Sequence, residues 1–261
     1  MITHALAMLL LSFQAAPPVI APADVLLADS KPTYRTHFSP ACQEWSAARR
    51  GTSEESRLRV GIYRLWVLGY ITGFNVVGPD KSGDLLGTAP QDEVYRAIDG
   101  YCARNPTYHV VDAMRPIAAA FVRRRQSKPV ANVPASKTHA QAVALVTCRD
   151  WSQNQKNAIL RLAYAGVVGG YITAYNRFGP DPTGDAIGAA DHPLIEEALG
   201  KYCSSHPTAP LIGAVTPLIE HVAAERAAGR IPPAGMRPQN KVTPGSGPDP
   251  RPIDKGQPAA R

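Results

Sequence analysis

Four cysteines, two aspartate-rich loops and seven histidines are the residues of this chain whose types and spacing could do chemistry. Cys42, Cys102, Cys148 and Cys203 could ligate a metal as thiolates or form disulfides. Thiolate zinc sites need clustered Cys and His; this chain has no Cys-x-x-Cys, and His206, three residues after Cys203, is replaced by Asn105 in the other copy. Disulfides are the better reading, with three possible connectivities among four cysteines. Asp80, Ser82 and Asp84 stand at positions 1, 3 and 5 of a calcium-loop pattern, as do Asp181, Thr183 and Asp185. Such a loop needs Gly at position 6 and Glu at position 12, where this chain has Leu85 and Gln91, or Ala186 and His192. Asp80, Asp84, Asp181 and Asp185 therefore match a cation site poorly. Asx-type turns explain the same residues better. No His joins Ser or Cys in a nucleophile motif, and none forms a His-Glu-x-x-His pair. The sequence thus gives no reason to expect a catalytic residue, a metal or a cofactor, and the expectation is a non-enzymatic protein; a hydrolase with a cleft between two units is an alternative with no motif behind it.

The positions of these residues follow from an internal repeat. Cys42-Gln43-Glu44-Trp45-Ser46 recurs 106 residues later as Cys148-Arg149-Asp150-Trp151-Ser152. Gly69-Tyr70-Ile71-Thr72 recurs 101 residues later as Gly170-Tyr171-Ile172-Thr173, and residues 69–116 match 170–217 at 19 of 48 positions. A period of this kind predicts two copies of one small unit, at 40–126 and 138–228, joined by a linker at 127–137. Each unit holds two cysteines, so the repeat favours Cys42–Cys102 and Cys148–Cys203. Each bond would tie the start of the first helix to the end of a later one, stabilising its unit by roughly 4 kcal/mol in the chain-entropy model.

Within a unit the apolar spacing is helical. Leu58, Ile62, Leu65, Trp66 and Gly69 form one stripe, preceded by Thr52-Ser53-Glu54-Glu55, a capping-box pattern with Thr52 as the cap. The five extra residues of the first unit fall around this box, which predicts a helix break there that the second unit lacks. Val94, Ile98, Tyr101 and Cys102 mark another helix, as do Ile195, Leu199, Tyr202 and Cys203, and Asp191 with Pro193 reads as its start in the second unit. A last helix is expected from about Thr107 and Thr208, kinked or restarted at Pro116 and Pro217. No stretch alternates with period 2, so the expected fold is all-α, with about four helices per unit. Trp66, Gly69, Tyr70 and Asn75, with Gly170, Tyr171 and Asn176 as copies, mark either a helix junction, where glycines let another segment approach closely, or a cleft.

Composition limits the rest. The charge is +7 over 261 residues, 44% are hydrophobic, and the 25 prolines are about twice the usual share. Residues 5–16 form an apolar block before Pro17 and Pro18, and Ala21-Pro22-Ala23 offers a cleavage site, so 1–23 reads as a signal peptide and 24–39 as a leader. That predicts a periplasmic or secreted location, which also suits disulfides. The stretch 229–261 is proline-rich and basic, and reads as a disordered tail. No uninterrupted apolar run reaches the ~20 residues of a membrane span. Arg123-Arg124-Arg125 is too short a run to define a nucleic-acid patch and suits a solvated helix C-terminus. The expected partner is a protein or client protein, with no nucleic acid and no transmembrane segment, and the oligomeric state is left open.

The pattern Cys-x-x-Trp, then Trp66-x-x-Gly69-Tyr70-Ile71-x-Gly73-x-Asn75, then Tyr101-Cys102-x-x-Asn105-Pro106 resembles the small secreted helical proteins of proteobacteria of the HdeA/HdeB-like and Rap1a/Tai-like kinds. The resemblance covers both units, about two thirds of the chain. It implies a periplasmic helical fold held by a disulfide. It also implies one of two activities: an acid-activated chaperone that opens at low pH and holds client proteins, or an immunity protein that binds an antibacterial effector. Two copies, a basic balance and a long tail depart from that pattern.

Overall fold

The computed structural model describes residues 34–80, 82–127, 146–181, 183–188 and 192–228. The expected signal peptide, most of the linker, Asp191 and the tail lie outside them. The described residues are helical, with no strand among them. In chain order the helices are α1 (Cys42–Arg50), α2 (Glu54–Val77), α3 (Gln91–Arg104), α4 (Val110–Ser127), α5 (Cys148–Gln153), α6 (Ala158–Phe178), α7 (His192–Ser205) and α8 (Val215–Ala227), with a 3-10 turn at Leu211–Ala214. The all-α expectation holds. So does the cysteine pairing: Cys42 is bonded to Cys102 and Cys148 to Cys203. Each bond ties the first residue of a short helix, α1 or α5, to the last turn of α3 or α7. A single bridge pair braces the same corner from the other side, Ala41 with His109 and Thr147 with Pro210.

Several local expectations are corrected. Ser53, not Thr52, caps α2, its hydroxyl accepting from the Ser56 N–H at 3.1 Å. The break between the first two helices is not confined to the first half. Residues 154–157 also interrupt α5 and α6, and the Asn157 carboxamide caps α6 through the N–H groups of Ile159 and Leu160. The extra residues of the first half lengthen helices instead: α1 has 9 residues against 6 in α5, and α2 has 24 against 21 in α6. Pro116 lies inside α4, which begins at Val110 rather than Thr107. Pro217 sits in the first turn of α8, where a missing N–H costs nothing.

Two apolar clusters make up the core. One gathers Trp45, Trp66, Tyr70, Phe74, Ile98 and Met114 around the first disulfide. The other gathers Trp151, Val167, Tyr171, Ile172, Leu199 and Leu218 around the second. The two are interlocked: Ala174 of α6 belongs to the first cluster and Leu68 of α2 to the second. By length and hydropathy α2 and α6 are each apolar enough to cross a membrane, but half of the one window and two thirds of the other are buried within the fold. What those apolar faces bury is chiefly each other.

Candidate functional site: the junction of the two long helices

Backbone meets backbone where α2 crosses α6. A Cβ on Gly69 would lie 2.0 Å from the Val167 carbonyl oxygen, and one on Gly170 would lie 2.1 Å from that of Trp66. These are the same contact made twice, since Gly69 and Gly170, and Trp66 and Val167, each stand 101 residues apart. Gly73 approaches its own counterpart: a Cβ there would be 2.8 Å from the Ala174 Cβ. Gly166 adds a fourth approach, to the Ile62 carbonyl at 3.3 Å. Contacts that advance together along both helices mean that the two run in the same direction, related by a local two-fold. Small residues four apart allow this close packing of helix backbones. Of the residues singled out in the sequence, Gly69, Gly170 and Trp66 meet at this crossing. Trp66, Tyr70 and Tyr171 are buried, and the nearby cavity beside Phe38 and Gly169 has about 20 Å³, room for one water and no more.

The sequence did not reveal what lies across this junction. Residues 34–39, placed in the leader, are laid over α2 and α6. Arg35 N–H donates to the Gly184 carbonyl at 2.8 Å, His37 N–H to Thr173 Oγ1 at 2.9 Å, and the Trp66 indole to the His37 carbonyl at 2.6 Å. Asn176 Nδ2 donates to the Arg35 carbonyl at 2.9 Å. The His37 ring is half-buried, and its Nε2 has no hydrogen-bond partner among the described residues. Burial, and secondarily the Arg35 guanidinium, lowers the His37 pKa to about 4, against the opposing pull of Asp185. Arg177 is buried at 5% exposure, donates to the Tyr34 hydroxyl at 3.1 Å and stacks over the Tyr34 and Phe178 rings. Burial raises the pKa of Tyr70, while Arg177 beside it acts the other way. Since Val76 occupies the Arg177 position in the first half, this buried cation is particular to the second.

The aspartate loops are turn scaffolds. Asp80 accepts from Ser82 N–H and hydroxyl, Ser82 Oγ from Asp84 N–H, and Asp84 from Gly87 N–H. Asp181, Thr183, Asp185 and Gly188 repeat every one of these bonds. Gly83, Gly87, Gly184 and Gly188 all have positive φ, as their turns require. Asn75 and Asn176 each hold the loop to its helix by accepting from Leu85 or Ala186 N–H at 2.8 Å. The cation facing each loop is an arginine: Arg125 pairs with Asp80 and donates to the Asp84 carbonyl, and Arg226 lies 3.5 Å from Asp181. This corrects the reading of Arg123-Arg124-Arg125 as a solvated helix end. Arg125 is three-quarters buried against the loop, and Arg124 pairs with Glu93. Long-range pairing of this kind leaves no local sequence signal, although Arg125 and Arg226 do stand 101 apart.

One further feature separates the halves. Trp45 Nε1 donates to Asp99 at 2.7 Å, and Arg49 makes two bonds to the same carboxylate. Burial alone would raise the Asp99 pKa, but the bonds from Arg49 and Trp45 outweigh it and hold the carboxyl below its usual range. The second half has Gly200 and Gln155 at these positions. The described residues contain no group of three or more His, Cys, Asp or Glu placed to hold a metal ion. No protein-family model, characterised protein or solved structure matches this chain.

Proposed function

We propose that this chain is a tandem duplication of one disulfide-stapled helical unit, acting without catalysis as a protein-binding protein in an oxidising compartment outside the cytoplasm. Within that reading, low pH opens the α2–α6 junction and exposes the apolar surface that binds an unfolding client. The single observation that carries it is the leader segment docked over the junction by the His37 backbone N–H and carbonyl, which holds the half-buried His37 ring there in its neutral form. A histidine held neutral by its surroundings favours opening when it must take a proton. Once carboxylates are neutral, 28 Lys and Arg with 7 His bring the charge to about +35, so the halves repel. The disulfides keep each half tied while the seam between them loosens. Two disulfides support an oxidising compartment.

A light-scattering assay tests this proposal. An acid-labile client taken to about pH 3 should scatter less with an equimolar amount of this protein, and show no such protection when heated at neutral pH. Equal scattering with and without the protein at low pH would remove the acid-chaperone reading. A second reading, binding of one folded partner at neutral pH, rests on Phe38, Ile159 and Leu162. They stand about half exposed near the second half's first helices, at 53%, 47% and 51%. A pull-down at neutral pH, lost when Leu162 becomes Asp, would favour it.

A further inference from the structure

The first half carries a groove between α1 and α2. It measures about 330 Å³ and is lined by Ala48, Val60 and Gly61 with Arg49, Arg57 and Arg64. Arg57, Gly61 and Arg64 lie on one face of α2, a turn apart. At the corresponding positions the second half has Ala158, Leu162 and Ala165. Thus two of the guanidinium groups that line the groove, and the glycine between them, are particular to the first copy. Gly61 needs no space for packing, since a Cβ there would meet nothing within 4 Å. The arginines are incompletely used. Arg49 is committed to Asp99 and forms a fixed wall. Arg64 lies over the Tyr95 ring and 3.9 Å from Asp92, with its Nε buried and lacking an acceptor among the described residues. Arg57 has no ion pair among the described residues, and its side chain is exposed.

We infer that this groove binds an acidic peptide segment of a partner protein, its carboxylates on Arg57 and Arg64 and an apolar side chain on Val60 and Ala48. Guanidinium groups take carboxylates in forked, charge-assisted pairs. The apolar wall beside them favours an acidic peptide over a bare inorganic anion. This shares only the premise of a protein partner with the acid-opening reading. It is tested at neutral pH on the closed fold, so either can fail alone.

The experiment titrates the full chain at pH 7 into a fluorescein-labelled octapeptide of alternating Glu and Leu, followed by anisotropy, with a Gln-for-Glu peptide as control. Saturable binding of the Glu peptide but not the Gln peptide is expected. Arg57→Ala should weaken it at least about tenfold, the scale of one lost charge-assisted bond. Gly61→Leu installs the second copy's residue and should abolish binding while raising the melting temperature, because Leu is a far better helix former than Gly. That variant separates occupation of the groove from unfolding. Absence of binding, equal binding by Gly61→Leu or Arg57→Ala, or equally tight binding of inorganic phosphate would overturn the assignment.

Discussion

Replacing Gly170 by Ala asks whether the two halves are held together by backbone approach. The added Cβ would stand 2.1 Å from the Trp66 carbonyl oxygen and 2.8 Å from the Tyr70 nitrogen. An ordinary contact needs about 3.5 Å, so α2 and α6 must part by roughly 1.4 Å or tilt. Both neighbours are backbone atoms, which no rotamer change can move aside. Overpacking of this kind costs about 1–3 kcal/mol. Helix propensity works the other way, with Ala better than Gly by up to about 1 kcal/mol. With the upper part of that range, about 2–3 kcal/mol, for a clash of Cβ on backbone, the net expectation is a loss of about 1–2 kcal/mol, which for a fold of this size lowers Tm by about 2–8 °C. Gly69→Ala should behave alike, because it makes the symmetric contact. Gly61→Ala is the internal control on the same pair of helices: a Cβ there meets nothing within 4 Å, so propensity alone acts and Tm should rise. The assay is thermal and urea unfolding by far-UV circular dichroism with disulfides intact. The decisive quantity is a difference of sign. If Gly170→Ala stabilises the protein as Gly61→Ala does, the close crossing is refuted.

The remaining predictions concern the leader, the loop anchors and the staples. His37 has a folded pKa of about 4, below its ordinary 6.5. Below pH 6.5 the unfolded chain therefore binds the proton that the folded one refuses, and stability should fall as pH drops from about 6.5 to 4, by about 3 kcal/mol in all. His37→Gln should flatten that window in urea midpoints taken across it; an unchanged slope would contradict the burial of the ring. Asn176, fully buried and bonded to both Ala186 and Arg35, should cost about 2–4 kcal/mol on change to Leu. Asn75, less buried and anchoring only Leu85 among these contacts, should cost less under the same measurement. Reducing the two disulfides should lower stability by several kcal/mol, about 4 for each in the chain-entropy model, and non-reducing peptide mapping should recover the pairs Cys42–Cys102 and Cys148–Cys203.

What the sequence made legible is what repeats. The 101-residue offset marks the glycines of the crossing, the Asn75 and Asn176 anchors and the turn-forming aspartates, because each does the same job twice. Cysteine pairing follows from the same symmetry. What escaped is what one half does for the other. That Gly69 approaches Val167, and Gly170 Trp66, is a relation between copies that periodicity within either copy cannot specify. Tyr34, Arg35 and His37 have no counterpart elsewhere in the chain and carry no periodic signal, so their docking over Thr173 and Asn176 was invisible. The second helix break at 154–157 carries no Gly or Pro to signal it, because it is made by Asn154 and Asn157 caps. Arg177 and the Arg57–Gly61–Arg64 face are departures from the repeat, visible only once the fold shows where those positions lie.

Acid opening of the seam is tested most directly at Trp66, which is 1% exposed at the crossing, while Trp45 and Trp151 lie beside the disulfides. A Trp45→Phe, Trp151→Phe variant leaves Trp66 as the sole indole, and its emission can be followed with far-UV circular dichroism during acidification. The account predicts that, by about pH 3, Trp66 emission shifts to the red and becomes quenchable by acrylamide while helicity is retained, and that both changes reverse on neutralisation. A Trp66 that stays blue and unquenched at that pH, or that is exposed only as the helices melt, would contradict it.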